Sequence, residues 1–467
     1  MDLQIYLNAL KTAHAGVLPL NDDQHQAIEY HYDQPLWIIA GPGTGKPHTL
    51  VWLALKRILV DGVSPEQIVL TTFTRKAATE LQSRLLVSRQ LLVDAGIAEA
   101  EPVDISKITL GTLHGICSRV LQDQRYDPTL RIRVLEDELT QQFFLRRAHN
   151  SLVYSPSSPV WSHFEFADED AQFNPSVAQR AEWATKLFNR LTENSVDITA
   201  MLQSGEQAFV ELSQGYQEYQ RKLGEEHRTD QAHLQAHFRT FLETPAGQSW
   251  IGAGGRTVIV DEYQDTNPIQ ELIYFKLAQG RGDIAVVGDD DQSLYRFRGA
   301  TVEALIDFDR ACKHYLGLNP ASVNLRENWR SHPTIVGWVN RFIDQHQVMR
   351  DRTVRMRAPG KWPLVAASSV AGAYPAVMAI AESPYAKAAQ KLAQAIVDLK
   401  SSGLVADYSQ IALLTFSTRE SSHGIGVFTD ALRDLDIPLY IAARALRMRP
   451  VSEPSRCSWG ACHACPS

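Results

Sequence analysis

Cysteine is scarce here, with five residues in a chain of 467. A disulfide-held scaffold of that length would carry more, so the fold must rest on a packed apolar core, and a reducing compartment is the expected setting. Long apolar runs are absent too. No stretch reaches the about 18 consecutive apolar residues of a membrane-crossing helix. The opening segment MDLQIYLNALKTAHAG lacks the basic start and apolar centre of a secretory signal. A cytoplasmic protein without membrane contact is therefore expected. An excess of positive charge is also missing: 46 Lys and Arg stand against 53 Asp and Glu, a formal net charge of −7. Bulk charge thus gives no argument for a nucleic-acid partner, and any such partner must be held by a local groove of basic and aromatic residues. What remains is an ordinary folded composition, 44% hydrophobic and 21% charged, in a chain long enough for about three domains.

The apolar residues that are present fall into short runs separated by helical patterns. Residues 1–35 read as helix, turn, helix, with Asn21 or Asp22 as a cap. Leu36–Ala40 is a brief apolar run with β-branched residues, followed by a glycine-rich turn and the apolar helical stretch TLVWLALKRILV. Ile68–Thr72 repeats the strand pattern, with a helix over KAATELQSRLL. Between 121 and 250 the pattern turns polar and helical, and then Thr257–Val260 and Ile284–Val287 resume the strands. IALLTF (411–416) reads as one more. Strands alternating with helices imply an α/β fold with a parallel sheet.

The segment Ala40-Gly41-Pro42-Gly43-Thr44-Gly45-Lys46 lies between a strand and a helix, the setting a phosphate-binding loop requires. Glycines let backbone N–H groups approach phosphates, the helix start adds partial positive charge, and Lys46 would reach the β- and γ-phosphates. One position departs from the pattern. Where Ser or Thr would ligate Mg²⁺, this chain has Pro47, which lacks both a hydroxyl and an N–H. Proline suits a first helical turn, so the loop still folds. Thr49 would replace the lost hydroxyl only after rearrangement. Taken alone, the segment also fits a glycine-rich turn without a ligand.

Asp261 and Glu262 follow a buried strand, at the edge where parallel sheets bind ligands. Asp261 suits a Mg²⁺ ion, and Glu262 suits the polarisation of an attacking water. Gly288-Asp289-Asp290-Asp291-Gln292-Ser293 follows another strand, where Gln292 could sense a γ-phosphate. Tyr295 and Phe297, interleaved with Arg296 and Arg298, suit stacking on bases and pairing with phosphates. Singly, these segments also fit an acidic solvated loop and aromatic core packing beside solvated arginines. The basic stretch Arg350, Arg352, Arg355, Arg357 and Lys361 fits either a DNA path or a solvated face.

Taken together and in order, these segments resemble the UvrD/Rep-type superfamily 1 helicases. Leu20–Gln24 resembles the Q motif, AGPGTGKP motif I, Thr71–Ala78 motif Ia, and Gly111–Gly115 motif Ib. DEYQD (261–265) resembles motif II, GDDDQSLYRFRGA (288–300) motif III, and Glu327–Ser331 motif IV, with Trp329 where tyrosine is usual. The resemblance implies a RecA-like P-loop NTPase core that uses ATP and Mg²⁺. It places Gln24, Gly41, Gly43, Thr44, Gly45 and Lys46 at the nucleotide, and Asp261, Glu262, Gln292 and Arg330 at the reacting phosphates. Phe73, Thr112, His114, Tyr295, Phe297 and Arg298 would hold the strand. The implied activity is 3′ to 5′ movement on single-stranded DNA and unwinding at duplex junctions, in repair or replication.

By this reading, 1–120 and 251–335 build the first RecA-like domain, 121–250 is a helical insertion subdomain, 336–447 begins a second RecA-like domain and 448–467 is a tail. The family's motifs V and VI, including a late arginine that completes the ATP site, are not found. Together with Pro47, their absence raises an alternative: an impaired ATP- and DNA-binding protein, or a subunit that a protein partner completes. Cys457, Cys462, Cys465 and His463 have a spacing open to zinc or an iron–sulfur cluster. Adjacent ligands fit one tetrahedral site poorly, however, and an altered terminus is the blander account.

Overall fold

The computed structural model describes residues 1–13, 20–31, 33–124, 133–163, 175–293, 302–345, 361–367, 376–415 and 425–440. Met1–Gly372 forms one compact unit and Ala373–Ser467 a second.

In the first unit, β1 (Leu36–Ala40) and β2 (Ile68–Thr71) are the apolar runs seen in the sequence, and every residue in them is buried. β3 (Thr109–Gly111) follows. β4 (Arg133–Leu135) and β5 (Arg228–Asp230) pair with each other inside the insertion. β6 (Thr257–Val260) and β7 (Ile284–Gly288) return to the main sheet, again wholly buried. β8 (Ala321–Leu325) closes its far edge, and β9 (Glu327–Asn328) pairs with β10 (Val365–Ala366). The main sheet runs β3-β2-β6-β7-β1-β8, and all five neighbouring pairs are parallel. An α/β fold with a parallel sheet is thus what the chain adopts.

Alternation along the strands sorts side chains into two cores, because successive residues point to opposite faces. Ile38, Leu70, Ile259 and Val287 pack on one face with the helices Lys46–Leu59 and Arg75–Asp94. Trp37, Ile39, Val69, Val258 and Val286 pack on the other with Leu113–Asp123, Gln231–Glu243 and Pro268–Ala278. With both faces covered, the sheet can carry continuous apolar strands.

The insertion has its own core around Trp161, Trp183, Phe188, Tyr216 and Tyr219. It is mainly helical, as its polar and helical pattern implies. The helix Gln231–Glu243 also packs on the main sheet's core through Leu234, Phe238, Phe241 and Leu242. In the second unit, helices Tyr385–Ser401 and Ile425–Arg433 pack through Ala389, Ala393, Ile396, Ala431 and Leu432. Ile411–Thr415, the described part of the IALLTF run, is not a strand, and apolar character alone does not make one. Among the described residues no helix is long and apolar enough to cross a membrane.

Candidate functional site

Because the main sheet is wholly parallel, the carboxyl ends of its strands share one edge. The order of strands sorts the loops along it. Those after β6, β7, β1 and β8 lie side by side, and those after β3 and β2 lie beyond them. At about 4.8 Å per strand, the β2 loop is about 14 Å from the β1 loop.

The β1 loop turns through Gly43 (φ 74°) and Gly45 (φ 84°), both in the left-handed region that glycine tolerates. Gly45 caps the helix Lys46–Leu59 without a side-chain bond, and Pro47 sits in its first turn. The Thr44 hydroxyl donates to Gly41 O at 2.8 Å, drawing the loop tight. Gln24, itself buried, donates to Thr44 O at 3.3 Å, so the amide implied for adenine lies beside the loop. An Asn21 capping box fixes the turn that carries it.

Asn328 clamps the loop from the other side. Its Nδ2 donates to Pro42 O at 2.7 Å, and its Oδ1 accepts from the N–H groups of Arg330 (3.0 Å) and Ser331 (2.7 Å). Trp329 N–H adds a bond to Gly43 O at 3.0 Å. This puts the exposed Arg330 against the loop, with its Cβ 2.9 Å from where a Cβ on Gly43 would stand.

Lys46 is buried, and its Nζ donates to Glu262 Oε2 at 3.2 Å. Glu262 holds a left-handed conformation (φ 53°, ψ 46°), which costs a non-glycine residue about 1 kcal/mol. Gln264 bridges two loops: its Nε2 donates to Glu262 Oε2 at 2.7 Å, and its Oε1 accepts from Asp289 N–H at 3.0 Å. Gln292 then donates to Asp289 Oδ2 at 2.7 Å. Lys46, Glu262, Gln264, Asp289 and Gln292 thus form one hydrogen-bonded line. Lys361 enters from a distant segment and pairs with Asp289, with Asp290 at 2.6 Å and with Asp291 at 2.9 Å. In the structure this residue faces the acidic loop.

Asp261 is buried, taking bonds from the Thr72 hydroxyl at 3.2 Å and from Glu262 N–H at 3.1 Å. Burial, reinforced by the charge of Glu262, raises its carboxyl to about 6, although Lys46 and the two hydrogen bonds oppose the rise. Burial and Glu262 likewise raise Asp265 to about 7, and its buried Oδ1 has no hydrogen-bond partner among the described residues. Three carboxyl groups therefore crowd one ammonium, an excess that suits a divalent cation. Among the described residues no group of three His, Cys, Asp or Glu is arranged to hold a metal by itself. The residues fit an ion carried largely by phosphate oxygens and water, as Mg²⁺ commonly is. Pro47 offers it nothing. Thr49 does not replace the lost hydroxyl, because it is fully buried and donates back to Gly45 O at 3.3 Å.

Beyond β2 and β3 lie the residues implied for the strand. Phe73 stands at the end of β2, 36% exposed. Thr112 caps the helix Leu113–Asp123 by accepting from Gly115 N–H at 3.2 Å. His114 is half-buried, its ring meets the Gln235 amide, and burial lowers its pKa to about 4. The Thr72–Asp261 bond joins this group to the nucleotide side. Tyr295, Phe297 and Arg298 lie outside the described residues, as do Arg350, Arg352, Arg355 and Arg357 and the cysteine-rich tail. Sequence reasoning gave no role to Gln264 or Asn328, and it read Lys361 as part of a DNA path or a solvated face, whereas its side chain is buried against the acidic loop. The partners of all three are set by the fold and carry no local pattern.

The profile of the UvrD/REP helicase N-terminal domain matches residues 20–313. The chain is 29% identical over 366 residues to the ATP-dependent DNA helicase SRS2 of Saccharomyces cerevisiae, a match covering 73% of this chain and 28% of that protein. It is 29% identical over 335 residues to DNA helicase II of Escherichia coli, covering 70% of this chain and 40% of the relative. The ATP-dependent DNA helicase UvrD1 of Mycobacterium tuberculosis is 27% identical over 344 residues, with 71% and 40% covered. The chain thus spans well under half the length of these relatives.

Proposed function

The chain belongs to the UvrD/REP helicase family, and on that premise we propose that it is an ATP-driven motor that moves on single-stranded DNA. The observation that carries this reading is the line of hydrogen bonds from Lys46 through Glu262, Gln264 and Asp289 to Gln292. It links three loops on one sheet edge, where a phosphoryl group and its attacking water would meet.

In this account the phosphates of ATP lie against Gly41, Gly43, Thr44 and Gly45, with the adenine beside Gln24. Lys46 turns from Glu262 to the phosphates. That releases the Glu262 carboxylate to orient water, while Gln292 and Arg330 contact the γ-phosphate. Asp261 would hold Mg²⁺, which when bound would supply neutralisation of the charge on the transferring group. Phe73, Thr112 and His114, together with Tyr295, Phe297 and Arg298, hold the strand by stacking and phosphate contacts. Movement is 3′ to 5′, with duplex junctions as substrates in repair or replication. Residues 336–447 begin a second RecA-like domain.

Pro47 supports a second reading, a nucleotide- and DNA-binding protein with weak hydrolysis, or a subunit that a partner chain completes. The two readings share ATP binding and differ in turnover. Fluorescent ATP titrated into the wild type should bind, and Lys46→Ala should weaken it about tenfold or more. Equal affinity in the two would sink both readings. Turnover that appears only in Pro47→Thr would favour the second.

A further inference from the structure

Lys361 is the least expected member of the site. It lies 72 residues from Asp289 in sequence, and its side chain is only 9% exposed. It meets three consecutive carboxylates, and those of Asp289 and Asp290 are 1% and 0% exposed. The residues that follow it are anchored. Val365 N–H bonds Arg326 O and Ala367 N–H bonds Asn328 O, each at 2.9 Å. Asn340 and Leu364 exchange two bonds, at 2.8 and 3.2 Å. The Leu364 side chain lies 2.6 Å from where a Cβ on Gly41 would stand, so it covers the phosphate loop.

The two oxygens of Asp289 divide their work. Oδ1 takes Lys361 and the N–H of Asp291 (3.1 Å), and Oδ2 takes the Gln292 amide. A buried carboxylate needs a counter-charge and hydrogen bonds, and Asp289 takes the first from Lys361 and one of the second from Gln292. We propose that Lys361 is a positioning residue for γ-phosphate recognition. By neutralising the acidic loop, it fixes Asp289 and so holds Gln292 in the orientation that reads the third phosphate. This rests on the nucleotide-site reading given above. The ion pairs Lys361 makes among the described residues are with Asp289, Asp290 and Asp291 and not with the phosphate loop, so its removal should spare the binding of a diphosphate.

The test uses the full chain as wild type, Lys361→Met and Lys361→Arg, titrated with fluorescent ADP and ATPγS in Mg²⁺, with thermal melting to verify folding. The expected result is that Lys361→Met binds ADP as the wild type does. It should lose about tenfold of its preference for ATPγS, roughly one hydrogen bond to a charged group, and Lys361→Arg should restore that preference. If Lys361→Met does not fold, Lys361→Gln carries the same comparison. A wild-type preference retained in the uncharged variant overturns the inference alone. A wild type that binds neither nucleotide refutes the nucleotide-site reading, and the inference falls with it. A wild type that binds both equally leaves that reading standing and refutes γ-phosphate sensing through Lys361.

Discussion

Asn328 offers a sharp test of how the phosphate loop is held. Its buried amide donates to Pro42 O and accepts from two N–H groups, tying β9 to the β1 loop across 286 residues of sequence. Asn328→Ala removes all three bonds. At about 1 kcal/mol net for each, the loss is about 3 kcal/mol, and a loop so released must be re-ordered by the nucleotide. Affinity for ATP should then fall roughly 10- to 100-fold. Asn328→Asp is more selective. It keeps both acceptor bonds and sets a carboxylate oxygen against the Pro42 carbonyl, so the loss should approach about tenfold. Calorimetric titration of ATP into the three proteins, with melting temperatures beside it, reads both quantities. Wild-type affinity in a folded Asn328→Ala chain would refute the clamp.

Three further outcomes are expected. Gly45→Ala forces a left-handed backbone on a residue with a side chain, and its Cβ would stand 2.6 Å from the Gln24 amide. It should therefore lower ATP affinity and blunt the preference for adenine over other bases, as competition titrations would record. Pro47→Thr restores a hydroxyl beside Lys46, so Mn²⁺ titration followed by electron paramagnetic resonance should show tighter metal binding in the nucleotide complex, and an unchanged midpoint would count against the missing-ligand account. In the insertion, burial and then the charge of Asp230 raise Glu193 to about 8 from 4.5, while Arg190 opposes the rise. An acid raised on folding stabilises the fold below about pH 4.5, and that gain is lost as the pH climbs through about 8. Glu193→Gln should therefore raise the melting temperature more at pH 9 than at pH 5, and an equal effect at both would argue against the shift.

Much of this was legible in the sequence because parallel strands buried on both faces read as plain apolar runs: β1, β2, β6 and β7 are such runs, and the glycine-rich turn follows the first. β8 was not legible. Its Ser322 and Asn324 interrupt the apolar pattern, as an edge strand allows. The short β4–β5 ladder is set by contacts across the insertion. Ile411–Thr415 shows the converse, an apolar run that is not in a strand. Within the site, Lys46, Asp261 and Glu262 announce themselves by residue type beside a strand end. Gln264, Asn328 and Lys361 do not, since an amide or an ammonium gains its role from what the fold brings to it. His114 was read as a backbone contact for DNA, and its ring bond to Gln235 comes from a helix more than 100 residues away.

The central claim is that the Lys46–Glu262 site drives hydrolysis in response to DNA. Steady-state ATP turnover by the purified chain, with and without single-stranded DNA, tests it most directly, with Lys46→Ala as the control. The account predicts turnover that DNA raises and Lys46→Ala abolishes. A folded chain that binds ATP and shows no turnover under either condition would contradict the motor and leave a nucleotide- and DNA-binding protein in its place.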